Sequence, residues 1–303
     1  MFRNAIGRFL SNTMLHPAEQ PIPMTPKDYG VDYRDVTFGT RDGVTLSGWL
    51  LNEIAGRVIV MTHFGYRANR FGYQVKHQPL MTRPYRKEIE FVKVAKRLTD
   101  AGCAVLMYDL RNHGESGKSR LRVGTGGVDE RWDVMAAVEF VAADPATAGK
   151  PIGLLSYCMG ANATFCAMDE DADVFMKAGV KAMVALQPLP NGSFLRAYGI
   201  RGGLFDAAER HFKAHTGGIS LDAPIADAAR KVCVPTRVVQ ARKDPWTDLA
   251  FVNRVYENIP TEKEMLWLEE PTHRFDGYNW FADHPADMLS WFDGWMPLQA
   301  NAA

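Results

Sequence analysis

The sequence predicts an α/β protein in which a mostly parallel sheet is covered by helices on both faces. Three observations predict it. The runs Val58–Thr62, Ala104–Tyr108, Ile152–Leu155, Val180–Leu186 and Thr236–Gln240 are nearly continuously apolar, as strands buried on both faces require. Segments with helical spacing separate them without a repeat period, and right-handed crossovers then give parallel neighbours. The chain of 303 residues is 47% apolar, with 35 basic and 35 acidic side chains, which suffices to bury a large core.

The elements follow in order. Met1–Leu15 carries Arg3 and Arg8, no acid, and Phe2, Ile6, Phe9 and Leu10 at helical spacing. It is expected to be a short helix packed on the body, although a transit or surface-lying segment shares this pattern. After Pro17–Pro26, the alternating runs Val31–Phe38 and Val44–Leu51 flank Thr40-Arg41-Asp42-Gly43, a hairpin signal. The strand Val58–Thr62 leads into His63-Phe64-Gly65-Tyr66. Arg67–Lys87 is irregular, with six Lys or Arg and no acid. Phe91–Thr99 is helical and Gly102 ends it. The strand Ala104–Tyr108 runs into Asp109–Gly117, and Val128–Ala143 is helical. Beyond the strand Val180–Leu186, the stretch 188–232 holds aromatics, Gly pairs and a helical piece at Phe205–His215. It is expected to be a cap insertion over the strand ends within one domain spanning 1–303. Leu249–Ile259, Glu264–Leu268 and Ala286–Trp295 complete the chain as helix, strand and helix.

Zero net charge gives no reason to expect nucleic acid. No apolar run approaches the roughly 18–20 residues a membrane span needs. Cys103, Cys158, Cys166 and Cys233 show neither CxxC nor metal-type spacing. They are expected to be reduced thiols of a cytoplasmic protein without metal or cofactor.

Chemistry concentrates at the strand ends, where doubly wound sheets place their sites. Cys158 follows the Ile152–Leu155 strand in Ser156-Tyr157-Cys158-Met159-Gly160-Ala161, a tight turn of small residues before a helix. Asp244 follows Thr236–Gln240, and His273 follows Glu264–Leu268. A thiol needs a base, and an imidazole base needs a carboxylate to orient it. After Val180–Leu186 stands Gln187, not a carboxylate, which leaves Asp244 as the acid and Asp248 as the second choice.

The Cys158 turn resembles the nucleophile elbow of the α/β-hydrolase family, with Ser156 at its first Gly and Cys158 at its Ser. Tyr33–Leu51, Tyr108–Gly117, Val234–Asp244 and His273–Trp295 also look like segments of that family. The order nucleophile, acid, histidine is the family's order. A Cys-His-Asp set on this fold is similar to dienelactone hydrolases, and the Cys elbow to polyhydroxyalkanoate synthases. The resemblance implies an α/β-hydrolase fold and acyl transfer through a thioester on Cys158. It also implies an oxyanion hole with Met159 N–H as one donor and Phe64 or Gly65 as the other. His63 is expected to hold its loop, His113 to be structural, and His284 to cap a helix or lie on the surface. Tyr66, Tyr157, Trp246 and Tyr278 are expected to line an apolar pocket, with Trp280 nearby in sequence.

The expected function is therefore hydrolysis of an ester, lactone or thioester of a small-molecule acyl substrate. An acyltransferase drawing on a CoA or carrier-protein thioester is the alternative; Arg67–Lys87 is expected to be a solvated charged loop, with binding of a carboxylate, phosphopantetheine or CoA-type anion as its second reading. A non-catalytic ligand-binding relative is a third reading, against which the intact Cys158, Asp244 and His273 argue.

Overall fold

The computed structural model describes residues 2–16, 20–65, 67–77 and 87–298. Helix α1 (Phe2–Leu15) precedes the hairpin β1 (Tyr33–Gly39) and β2 (Thr45–Leu51). Strand β3 (Arg57–Thr62), the short pair β4 (Gly72–Tyr73) and β5 (Ile89–Glu90), helix α2 (Phe91–Asp100), strand β6 (Cys103–Tyr108) and helix α3 (Arg131–Ala143) follow. Then come β7 (Ile152–Tyr157), α4 (Met159–Ala178), β8 (Val180–Leu186), α5 (Asn191–Ala197), α6 (Gly202–Thr216) and α7 (Ile225–Ala228). The chain closes with β9 (Thr236–Ala241), α8 (Leu249–Asn258), β10 (Lys263–Leu268), α9 (Arg274–Asp283) and α10 (Ala286–Trp295).

Eight strands form one sheet in the order β1-β2-β6-β3-β7-β8-β9-β10. β2 runs antiparallel to both β1 and β6, and the pairs from β6 through β10 are parallel. The predicted hairpin and buried runs are all present, with boundaries moved by a residue or two. Thr40 stabilises the hairpin turn, its Oγ1 accepting from Val44 N–H at 2.9 Å.

The continuous apolar runs are explained by two separate cores. Val58 and Val60 of β3, and Ala104 and Leu106 of β6, face the core shared with α3, α4 and α8. Their alternates Ile59, Met61, Val105 and Met107 face the core shared with α2, α9 and α10. Strand side chains alternate in direction, so a strand packed on both faces has no polar position to spare.

A third, smaller core lies apart from these. Leu15 of α1 meets Leu195 of α5 and Ala208 and Phe212 of α6, together with Val123 and Leu221. The amphipathic N-terminal stretch is thus a helix packed on the body, seated on α6. Gly7 permits the approach: a Cβ there would lie 2.7 Å from Ala207 Cβ and 2.9 Å from the Ala208 nitrogen. Among the described residues, no helix is long and apolar enough to cross a membrane.

Candidate active site

Cys158 stands between β7 and α4 with φ 49° and ψ −106°, a backbone conformation that costs a non-glycine residue on the order of 1–3 kcal/mol. The turn is held from both sides. Cys158 N–H donates to Leu186 O at 2.8 Å, and Asn162 N–H donates to Cys158 O at 2.9 Å. The small residues of the elbow have identifiable reasons. A Cβ on Gly160 would lie 2.5 Å from Thr62 O and 2.8 Å from His63 O, so α4 starts against the backbone of the β3 end. Ser156 is fully buried and its Oγ lies 2.9 Å from Thr164 Oγ1.

Cys158 lines a cleft beyond the strand ends with a cavity volume of about 70 Å³. Apolar side chains dominate its lining: Met14, Phe64, Met159, Leu189, Phe194, Trp246, Phe275 and Tyr278, joined by Arg274, Asn191 and His113. Of the sequence-predicted residues, the cleft collects Cys158, Met159, Phe64, Gly65, Trp246 and Tyr278. Tyr157 lies in the core behind it, fully buried, with its ring 4.6 Å from that of Phe91. Tyr66 lies outside the described residues. Trp280 stacks on His284 at 3.7 Å and donates to Asp287 Oδ2 at 2.6 Å.

The loop after β3 is set by two buried histidines. His63 Nδ1 lies 2.6 Å from Phe64 O, and its Nε2 accepts from Leu110 N–H at 3.0 Å. Those partners require the neutral ring with the proton on Nδ1. Burial, with His113 adding to it, pushes His63 down to about 3. In a trans peptide the C=O and the following N–H point in opposite directions. With Phe64 O turned to buried His63, the Gly65 N–H faces the other way. His113 Nε2 meets Gly65 O at 2.8 Å, which fixes the next peptide plane. Both His63 and His113 therefore hold the loop, as the sequence leads one to expect.

Asp244 is buried at the end of β9, its Oδ1 accepting from Trp246 N–H at 3.0 Å. Burial opposes its charge, but Arg274, Thr247 and the Trp246 N–H outweigh it and hold the carboxyl below its usual value. Asp248 serves a helix instead, its Oδ1 accepting from Ala250 N–H at 2.9 Å as the N-cap of α8.

The expected imidazole contact is where the arrangement differs. His273 is half-buried and N-caps α9, its Nδ1 accepting from Phe275 N–H at 3.2 Å, with its ring 5.2 Å from Trp246. Burial lowers its pKa, and Asp244 and Asp276 oppose that shift. Among the described residues, no hydrogen bond joins its ring to the Cys158 sulfur. Arg274 spans the gap instead. Its Nε donates to Asp244 Oδ2 at 2.9 Å and its Nη1 to Cys158 Sγ at 3.3 Å. Its Nη2 donates to Gln187 O at 2.9 Å and to Thr247 Oγ1 at 3.0 Å. Burial works against this cation, but Asp244 more than offsets that and its pKa is raised. Sequence reasoning missed Arg274 and the Gln187 that braces it. An arginine beside a loop histidine carries no signal of burial, and Gln187 was informative only as a missing carboxylate.

Tyr278 stacks on Phe64 at 4.8 Å. Burial first, then charge at Cys158, push its phenol well above the usual range, so it remains a neutral donor. Within Arg67–Lys87, Arg70 pairs with Asp109 and Glu115, and Lys87 with Asp276. Residues 78–86 of that segment lie outside the described residues. Among the described residues, no cluster of three His, Cys, Asp or Glu side chains is arranged to hold a metal.

No protein-family model matches the chain, and no curated protein matches its sequence. Solved structures do match. An esterase from Pyrococcus furiosus superimposes with a TM-score of 0.69 at 21% identity, over 93% of this chain and 98% of its own. An α/β hydrolase from a Penicillium species gives 0.60 at 20% identity, over 88% and 99%. The dienelactone hydrolase from Anabaena variabilis gives 0.54 at 17%, over 88% and 99%. The fold is that of the α/β hydrolases.

Proposed function

We propose that this α/β-hydrolase-fold chain is a cysteine-dependent acyl hydrolase that cleaves an ester, lactone or thioester through an acyl-Cys158 intermediate. One observation carries the reading: Cys158 occupies a strained backbone position at the start of helix α4 and lines an apolar cleft. Strain of this kind persists where the surrounding structure over-determines it, and it clusters at sites of chemistry. The esterase and hydrolase neighbours favour the same class of reaction.

The proposed cycle runs as two half-reactions, acylation and deacylation of Cys158. Cys158 gives up its thiol proton to His273, the thiolate attacks the substrate carbonyl carbon, and the C=O electron pair moves to oxygen. Met159 N–H, in the first turn of α4 where the helix dipole favours an anion, and Gly65 N–H receive that oxyanion. Collapse breaks the bond to the leaving group, which takes a proton from His273. Water, giving its proton to His273, then attacks the thioester and releases the acid. Asp244 supports this cycle by favouring the protonated ring. A thiolate leaves readily, so activated carbonyls suit the site and amides do not. The apolar lining favours an acyl or alkyl chain over a charged one, with 188–232 and α1 serving as its cover.

The test is hydrolysis of a panel of p-nitrophenyl and thioester acyl compounds by wild type and Cys158→Ala. Turnover is expected to fall about a thousandfold or more, as when other hydrolases lose their nucleophile, with thermal unfolding unchanged. Cys158→Ser is expected to keep trace activity. An acyl adduct on the Cys158 peptide should appear by mass spectrometry. Full activity in the alanine variant would remove the proposal.

A further inference from the structure

We infer that Arg274 is a catalytic cation of this site: its guanidinium, rather than the neighbouring imidazole, is the charge partner of the Cys158 sulfur, and Asp244 aims it. The inference rests on the reading of Cys158 as the nucleophile and assigns the group that works on it.

Arg274 is 1% exposed. A buried guanidinium is tolerated only when its donors are matched, and here each nitrogen is engaged. Asp244, Gln187 O and Thr247 take Nε and Nη2, while Gln187 Nε2 donates to Arg274 O at 2.9 Å and fixes the backbone beneath. These contacts leave the side chain one orientation. The remaining nitrogen, Nη1, is delivered to Sγ at 3.3 Å from the cleft wall. A permanent cation held there, out of water, attracts the ionised sulfur more strongly than it would in bulk solvent.

The chemistry is balanced without a further reagent. The S–H bond of Cys158 breaks, its electron pair stays on sulfur opposite Arg274, and the proton passes through the water of the open cleft to His273, which hands it to the leaving group. The same contact acts a second time in deacylation, when the tetrahedral intermediate collapses and expels the thiolate. His273 is then left with the two proton transfers, to the leaving group and from water.

A contact between arginine and cysteine is not sufficient by itself. Arg57 Nε meets Cys103 Sγ at 3.1 Å, but Cys103 is fully buried within the sheet and burial pushes its thiol up. Cys158 differs in lining a cleft and in opening a helix.

The test is alkylation of the full chain by iodoacetamide at neutral pH, followed peptide by peptide with Cys233 as internal reference. It requires no substrate and no turnover. Arg274→Gln is expected to slow labelling of Cys158 about tenfold while Cys233 is unchanged, the scale of a charge-assisted hydrogen bond. Arg274→Lys is expected to restore the rate to within about threefold of wild type. His273→Asn is expected to change it by less than about threefold, even as it costs hydrolysis. Slowing below threefold in Arg274→Gln, or loss in His273→Asn, would overturn the inference.

Should Arg274→Gln fail to fold with Asp244 left buried beside it, the double variant Asp244→Asn/Arg274→Gln removes both charges and carries the same expectation. The wild type supplies an independent reading: anionic iodoacetate, relative to neutral iodoacetamide, should be favoured at Cys158 over Cys233. Equal ratios at the two cysteines would overturn it. If the alkylation pattern holds while Cys158→Ala remains active, the hydrolase reading fails and the charge pairing stands.

Discussion

At the scale of single residues, the elbow is tight because the backbone of β3 runs directly beneath the start of α4. Gly160→Ala would set a methyl 2.5 Å from Thr62 O, and a carbonyl cannot swing aside as a side-chain tip can. The variant is expected to lose about 2–3 kcal/mol by denaturant unfolding, the scale of overpacking, and unchanged stability would refute that packing. Gly65 differs in kind: its added Cβ would meet Met159 Sδ at 2.5 Å, the far end of a flexible side chain. Gly65→Ala is therefore expected to fold with a loss under about 1 kcal/mol and to lower kcat severalfold by displacing Met159 beside the nucleophile. The contrast explains what was legible here. Small residues flanking a cysteine at a strand end announce a strained turn, because sterics act over a few neighbouring residues. Arg274 gives no such sign, because its burial depends on Asp244, Gln187 and Thr247, brought from other strand ends by the fold.

At the scale of elements, buried strands are readable because two cores leave each of them no polar position. Helix α1 was readable as a helix from its apolar spacing, but its destination was not, since nothing local records that α6 will lie across it. The contact is specific: Ser11 Oγ lies 2.9 Å from His211 Nδ1, and Gly124 N–H donates to Leu15 O at 2.7 Å. It brings Met14 into the cleft wall and buries Leu15 fully, which stabilises the packing by roughly 2 kcal/mol. Gly7→Val would press β-carbons onto the α6 backbone near Ala207 and lift α1 away. The expected outcome is faster proteolysis of the first 20 residues or so and a KM rising severalfold for longer acyl chains. Unfolding of the main sheet should shift little, because the two large cores do not share this contact. Protease resistance and chain-length preference equal to wild type would refute the role of α1 as a wall.

At the scale of the whole molecule, the sheet carries its chemistry on one rim, and the rim is held by groups that cannot take a proton there. His63 illustrates the consequence. Its pKa is pushed down to about 3 in the fold, against about 6.5 in an unfolded chain, because burial, with His113 adding to it, outweighs the opposing pull of the Phe64 carbonyl. Below pH 6.5 the unfolded state binds a proton that the folded state refuses. The stability His63 supplies is thus complete above about pH 6.5 and is lost as the pH falls, at close to 1.4 kcal/mol per pH unit. Burial lowers His113 as well, which adds in the same sense. Asp133 acts in the opposite sense, since burial pushes it up to about 7 against the pull of Arg111. The slope of wild type alone therefore mixes opposed contributions, and the decisive quantity is a difference between two proteins. His63→Gln keeps an amide donor toward Phe64 O and an acceptor toward Leu110 N–H but has nothing to titrate. Between pH 6 and 4.5, denaturant unfolding should show the stability gap between wild type and variant narrowing by about 1.4 kcal/mol per pH unit. Parallel curves would mean that His63 takes up its proton within the fold, and that the loop bearing Gly65 is not locked in the way its contacts imply.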